Sequence, residues 1–171
     1  MNALVTQPGE RPSASGSAAE TRQYLTFMLG GEVFAIGILA IKEIIEYGRI
    51  TPVPMMPATI RGVMNLRGAV VPVMDLAARF GRPSAETGKR TCIVIVERHT
   101  AEEQQVIGVV VDSVNAVQEI AAGDIEPAPG FGMRIAPQFI AGMGKVNSKF
   151  VILLDIEQVL SLHDMEQLQE A

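Results

Sequence analysis

The chain has 171 residues, 48% hydrophobic and 19% charged, which suits one folded domain with a real core or two small ones sharing an interface. A formal net charge of -5 excludes the clustered basic footprint that phosphate binding needs, so no nucleic-acid partner is expected. With aromatics at 5% and no tryptophan, the core must be aliphatic, which favours packed β structure over a ring-stacking ligand site. No apolar run reaches the roughly 18 residues that a bilayer span requires, so no direct membrane insertion is expected.

The N-terminal stretch is rich in Pro, Gly, Ser and Ala, has neither a basic start nor an apolar core region, and predicts a disordered tail over residues 1–21 rather than a secretory signal. From Tyr24, YLTFML, Gly30-Gly31 and EVFAIGI read as strand, tight turn and strand, since paired glycines supply the positive φ of a two-residue hairpin. LAIKEIIEYG fits either a short helix or a bent strand. Pro52, Pro54 and Pro57 then mark an extended connector that cannot donate a continuous ladder.

The later half repeats this order. CIVIV, the charged loop RHTAEEQQ and VIGVVVDSV again give strand, turn and strand, with residues 24–28 set against residues 92–96. Ala35, Ile41 and Ile44 fall on Gly108, Val114 and Val117, and Ile50 and Pro52 on Ile125 and Pro127. Ile60, Gly62, Val71, Asp75, Leu76 and Phe80 then match Ile140, Gly142, Val151, Asp155, Ile156 and Leu160 without a gap. Asp75 and Asp155 each end a strand and are placed to cap a helical turn. Each copy offers about five short strands, a count that suits a small closed barrel without free edges. The expected fold is mainly β, two small barrels in a pseudo-symmetric pair with a few short helices. The division expected is a first barrel over residues 22–86, a second over 87–162 and a C-terminal tail over 163–171.

Function should sit where one copy carries chemistry that the other lacks. Glu43 falls on Ala116 and Arg67 on Asn147, so one charge of each sign belongs to the first copy alone. Arg67 precedes Gly68 between apolar strands and belongs in or beside a hairpin turn. Two readings are open: a solvated turn arginine, or a pair with Glu43 at the mouth of the first barrel. The neighbouring Arg49, Arg61, Arg79 and Arg82 read either as scattered solvated charges or as a weak surface for an anionic partner.

No constellation for catalysis stands out. The histidines, His99 and His163, are at no ligand spacing with the lone Cys92, so neither a metal site nor a cofactor is expected. Cys92 opens an apolar strand and reads as a buried small hydrophobe, and a single cysteine suits a reducing cytoplasm. GMGK at residues 142–145 lacks the glycine spacing and the serine or threonine of a phosphate loop, and Glu102-Glu103 lies in a loop without an acid-base partner. Nine methionines, among them Met55 and Met56 between prolines, fit an adaptable protein-binding surface. A binding module is the leading reading; an enzyme with a cryptic pocket near Cys92, His99 or His163 is the competing class.

QYLTFMLGGEVFAIGILAIKEII, TPVPMMPATIRGVMNLRGAVVPVMDL, VIGVVVDSV and DIEPAPG together resemble the CheW family of bacterial chemotaxis coupling proteins, from Gln23 to Leu160. The resemblance implies two SH3-like five-stranded β-barrels and no catalysis. It implies a cytoplasmic adaptor, recruited to membrane-associated receptor arrays, that joins the cytoplasmic hairpin tips of chemoreceptors to the regulatory domain of the histidine kinase CheA. A related receptor-kinase pathway, such as pilus motility, is the alternative within the family. Carried over by position, Ile41, Glu43 and Arg67 imply receptor binding, with Val111, Val114 and Val117 lining the same groove. Gly62 matches a position implicated in kinase coupling.

Overall fold

The structure, a computed structural model, describes residues 20–84, 86–99, 104–129 and 135–161. Gly30 and Gly31 take φ of 60° and 85°, and close β1 (Thr21–Leu29) onto β2 (Glu32–Gly37) as the paired glycines predict. A 3-10 turn at Ile38–Ala40 leads into β3 (Ile41–Glu46), which is a strand with a bulge at Lys42 rather than a helix. The proline connector makes one bridge, Thr51 to Val63, before β4 (Ile60–Leu66), β5 (Ala69–Asp75) and the one-turn helix α1 (Leu76–Arg79). Next come β6 (Cys92–His99), β7 (Gln104–Val111), β8 (Ser113–Ala121) and β9 (Ile125–Glu126). The chain closes with β10 (Ile140–Val146), β11 (Lys149–Leu154) and α2 (Ile156–Val159).

Two sheets result, ordered β3-β6-β7-β5-β4 and β8-β1-β2-β11-β10-β9. The first closes on itself because Thr51, just beyond β3, bridges Val63 of β4. The second closes because β9 follows β8 past a 3-10 turn at Ala122–Asp124 and pairs with β10. The architecture is two SH3-like barrels.

Each barrel draws on both halves of the chain, which corrects the division into residues 22–86 and 87–162. β1 and β2 sit in the second barrel and β6 and β7 in the first, joined there by the parallel pairs β2–β11 and β5–β7. Parallel neighbours need a crossover connection, and hydrophobic periodicity along one strand does not specify its partner. Thr21, assigned to the tail, already pairs with Ala121. Residues 1–19 and 162–171 lie outside the described residues.

The duplication is legible in the ladders. Ala35 pairs with Leu153 as Gly108 pairs with Val73, and Ile41, Glu43 and Ile44 on β6 match Val114, Ala116 and Val117 on β1. One correction follows: Ala35 faces Thr26 while its counterpart Gly108 faces Ile95, so β1 corresponds to β6 one residue further along than 92–96. Both faces of these strands are buried, so no alternation fixes their register.

Val73, Ile93, Ile95 and Val110 fill the first barrel, and Ala35, Ile120, Val151 and Leu153 the second. The largest cluster lies between them. There Leu25, Phe27, Phe34 and Ile152 from one sheet meet Met74, Val94, Val96 and Val109 from the other. The aromatic chain Phe27, Phe34, Phe80 and Phe139 runs through this seam with ring centroids 5.5–6.1 Å apart.

Candidate functional site

Arg67 and Gly68 form the two-residue turn between β4 and β5, with φ of 51° and 89°, and Asn65 Oδ1 accepts a hydrogen bond from the Gly68 amide at 3.0 Å. The left-handed turn swings the Arg67 side chain back toward β3. There its guanidinium donates twice to Glu43, with Nη1 3.3 Å from Oε1 and Nη2 on Oε2. In sheet order β3 and β4 are opposite edges, so this fork spans the closure of the first barrel. Arg67 remains 68% exposed and Glu43 28% exposed, which leaves both charges within reach of a partner. The hydrogen bond from Arg67 holds the Glu43 carboxyl below its usual range, and the same bond pushes Arg67 up. The pairing alternative for Arg67 is therefore the one the structure adopts.

Ile44, next to Glu43 on β3, and its counterpart Val117 on β8 of the second barrel are exposed, at 42% and 49%. Ile41 and Val114 are half-buried and pack onto the seam between the barrels. Val111 departs from the expectation: it is wholly buried in that seam and has no surface for a partner. The run VVV at residues 109–111 has no polar alternation that could have shown this. Gly62 has no docking surface either. At φ of 152° it lets the connector approach so closely that a Cβ would meet the Thr51 carbonyl oxygen at 2.2 Å. Its contribution is to seat residues 50–51.

A groove of about 850 Å³ lies beside the start of β1, lined by Tyr24, Gly37, Leu39, Glu119, Leu154 and Ile156 among others. Leu39 is 99% exposed on its rim, and the groove runs up to Ala40, next to Ile41 at the head of β3. Among the described residues no group of three or more His, Cys, Asp or Glu is arranged to hold a metal.

Several charged residues gained roles that the sequence reading did not assign. Arg61 donates to buried Asp75 at 3.0 Å and to the Tyr47 hydroxyl at 2.9 Å. Burial opposes the Arg61 charge, but these bonds overcome it and leave the group above its usual pKa. Asp75 caps α1 through its other oxygen, as the sequence predicts, and Asp155 caps α2. Arg79 bonds backbone carbonyls of α2, and Arg82 pairs with Glu32 at 2.6 Å. With four of the five clustered arginines bonded within the chain, an anionic-partner surface has little left to stand on. Cys92 is half-buried, and desolvation together with Glu46 pushes its thiol up, away from the thiolate a nucleophile needs. His99 lies 3.5 Å from Glu97 and is mostly exposed. His163, Glu102 and Glu103 lie outside the described residues. No helix among the described residues is long and apolar enough to cross a membrane.

Comparison with known proteins gives one family. Residues 23–164 match the family model for the CheW-like domain. The chain is 36% identical over 155 residues to the chemotaxis protein CheW of Klebsiella aerogenes, covering 90% of this chain and 91% of the relative. It is 32% identical to that of Helicobacter pylori, with 88% and 91% covered, and 28% identical to protein FrzA of Myxococcus xanthus, with 85% and 89% covered. Its fold matches the crystal structure of the scaffolding protein TtCheW from Thermoanaerobacter tengcongensis with a TM-score of 0.74, 28% identity and 94% of each chain covered.

Proposed function

Because the chain belongs to the CheW-like family, we propose that it is a non-catalytic adaptor that couples the cytoplasmic tips of chemoreceptors to the histidine kinase CheA. The observation that carries this reading is the forked Glu43–Arg67 pair, built on one barrel and missing at the equivalent Ala116 and Asn147 of the other. A receptor tip is a helical hairpin, and a helix seats on a surface that combines apolar contacts with a fixed polar feature. Ile41, Ile44, Val114 and Val117 supply the apolar contacts, the fork supplies the polar one, and the groove beside Leu39 extends the surface past the head of β3. Val111 supports it from beneath.

Kinase coupling falls to a different part of the first barrel. Gly62 seats the connector, which carries Val53, Met55 and Met56 with their side chains exposed. Methionine in such a place adapts to a partner's contour at low cost. The protein would thus work in the cytoplasm at receptor arrays, one surface for each partner.

Titration of a receptor hairpin with the wild-type protein, Glu43→Ala and Arg67→Ala tests the reading. Both variants should bind about ten-fold more weakly, as for loss of one well-placed charged contact. Full affinity in both would remove the fork from the docking surface.

A further inference from the structure

We propose that Arg79 and Arg98 form a clasp that holds α2 in place and so sets one wall of the groove beside Leu39. α2 spans only Ile156–Val159, far short of what stands alone as a helix in water. Its counterpart α1 ends on its own backbone: Gly81, at φ of 82°, donates to the Ala78 carbonyl and the Arg82 amide to that of Ala77. α2 keeps the first of these bonds, with the Ser161 amide 3.3 Å from the Gln158 carbonyl oxygen, and adds side chains from the other barrel. Arg79 reaches over from α1, its Nε 2.8 Å from the Val159 carbonyl oxygen and its Nη2 3.0 Å from that of Gln158. Arg98 reaches over from β6, its Nε 2.8 Å from Glu157 and its Nη1 in a long 3.5 Å contact with the Leu160 carbonyl oxygen.

Both arginines belong to the first barrel's elements, while α2 follows the last strand of the second. Arg79 is itself buried, at 8% exposure, and its guanidinium lies 4.7 Å over the Phe139 ring. Cations on the last carbonyls of a helix also meet the favourable end of its dipole. The residue equivalent to Arg79 in the repeat is Val159, so the clasp runs in one direction only. Beneath it Val159 and Leu160 are fully buried, and at the other end of the same turn Ile156 lines the groove together with Ile38 and Leu39. Releasing the clasp therefore moves Ile156. Arg79 and Arg98 act as positioning residues: they shape the groove without lining it. Their effect on receptor affinity rests on the function proposed above, whereas their effect on α2 does not.

Hydrogen exchange on the full-length protein separates the two. In Arg79→Gln the amides of residues 156–161 should exchange about ten-fold faster, and those of residues 38–40 should change with them, while β5 and β11 keep their protection. Arg79→Lys keeps the charge but not the fork, and should recover part of the effect. If Arg79→Gln does not fold, Arg98→Gln decides, with about three-fold faster exchange of the same amides expected from loss of its pair with Glu157. Wild-type exchange at residues 156–161 in the variant that folds would overturn the clasp, and faster exchange there with residues 38–40 unchanged would overturn its hold on the groove. Receptor-hairpin affinity, measured on the same samples, should fall with the change at residues 38–40. A wild-type protein that binds no hairpin would remove the proposed function and leave the clasp to the exchange data.

Discussion

The β4–β5 and β10–β11 hairpins have almost the same backbone and different chemistry. Arg67-Gly68 and Asn147-Ser148 turn the chain with the same pattern of positive φ, a bulge follows Ile60 and Ile140 alike, and aspartates at matching positions cap α1 and α2. Only the first hairpin carries an arginine at its tip, and only β3 offers a carboxylate to meet it. The duplicated ladder fixes where a side chain sits, and divergence at single positions decides what it does.

Paired substitutions break or sharpen this comparison. The largest difference is expected at the bulge glycines. Gly62→Ala should cost about 4 kcal/mol in urea unfolding, because the new methyl meets a backbone carbonyl that cannot rotate away. Gly142→Ala should cost less, about 2 kcal/mol, since its Cβ would stand 2.8 Å from Ile125 Cγ2 and 3.2 Å from the Glu126 carbonyl oxygen, without the 2.2 Å backbone clash or the positive φ of Gly62. Equal losses would mean that the connector is not held by Gly62. Next come the capping aspartates. Asp75→Ala removes a cap and the acid that pairs with the half-buried Arg61, which keeps its Tyr47 bond, for about 2 kcal/mol, whereas Asp155→Ala removes a cap alone, for about 1 kcal/mol.

A smaller structural effect is expected at the turns themselves. Arg67→Asn makes the first tip resemble the second and should leave the urea midpoint in place while hairpin binding weakens, because an exposed pair contributes little to folding. A large loss of stability in Arg67→Asn would make the fork a folding element instead of a docking one.

The smallest effect is one of pH. Glu43 is held below the usual carboxylate range in the folded protein, so its pair with Arg67 is fully formed above that range and is lost as pH falls through the lowered value. Carboxyl NMR titration should show Glu43 returning to the ordinary range in Arg67→Asn. A titration point unmoved by that change would show that the fork does not form in solution.

Much of this was legible in the residues. Gly30-Gly31 and Arg67-Gly68 announce their turns because few other residues accept positive φ, and Asp75 and Asp155 announce caps because each closes an apolar strand before a helical segment. The first-copy placement of Glu43 and Arg67 was visible from the repeat alone. What was hidden depends on the third dimension. Strand exchange was hidden because apolar runs do not name their neighbours, and the one-residue slip of β1 against β6 because both faces are buried. Arg61 gave no sign that its acid would be Asp75 on the next strand, and Arg79 none that it would reach across the seam to α2.

Reconstituted kinase assays test the central claim, that a charged fork on one barrel couples receptor to kinase. With CheA and receptor hairpins, wild-type protein should raise kinase activity well above the level without it. Glu43→Ala and Arg67→Ala should each lose most of that gain, and the exchanged pair Glu43→Arg with Arg67→Glu, which rebuilds the fork in reverse, should recover part of it. Full activation by both single variants would contradict the account.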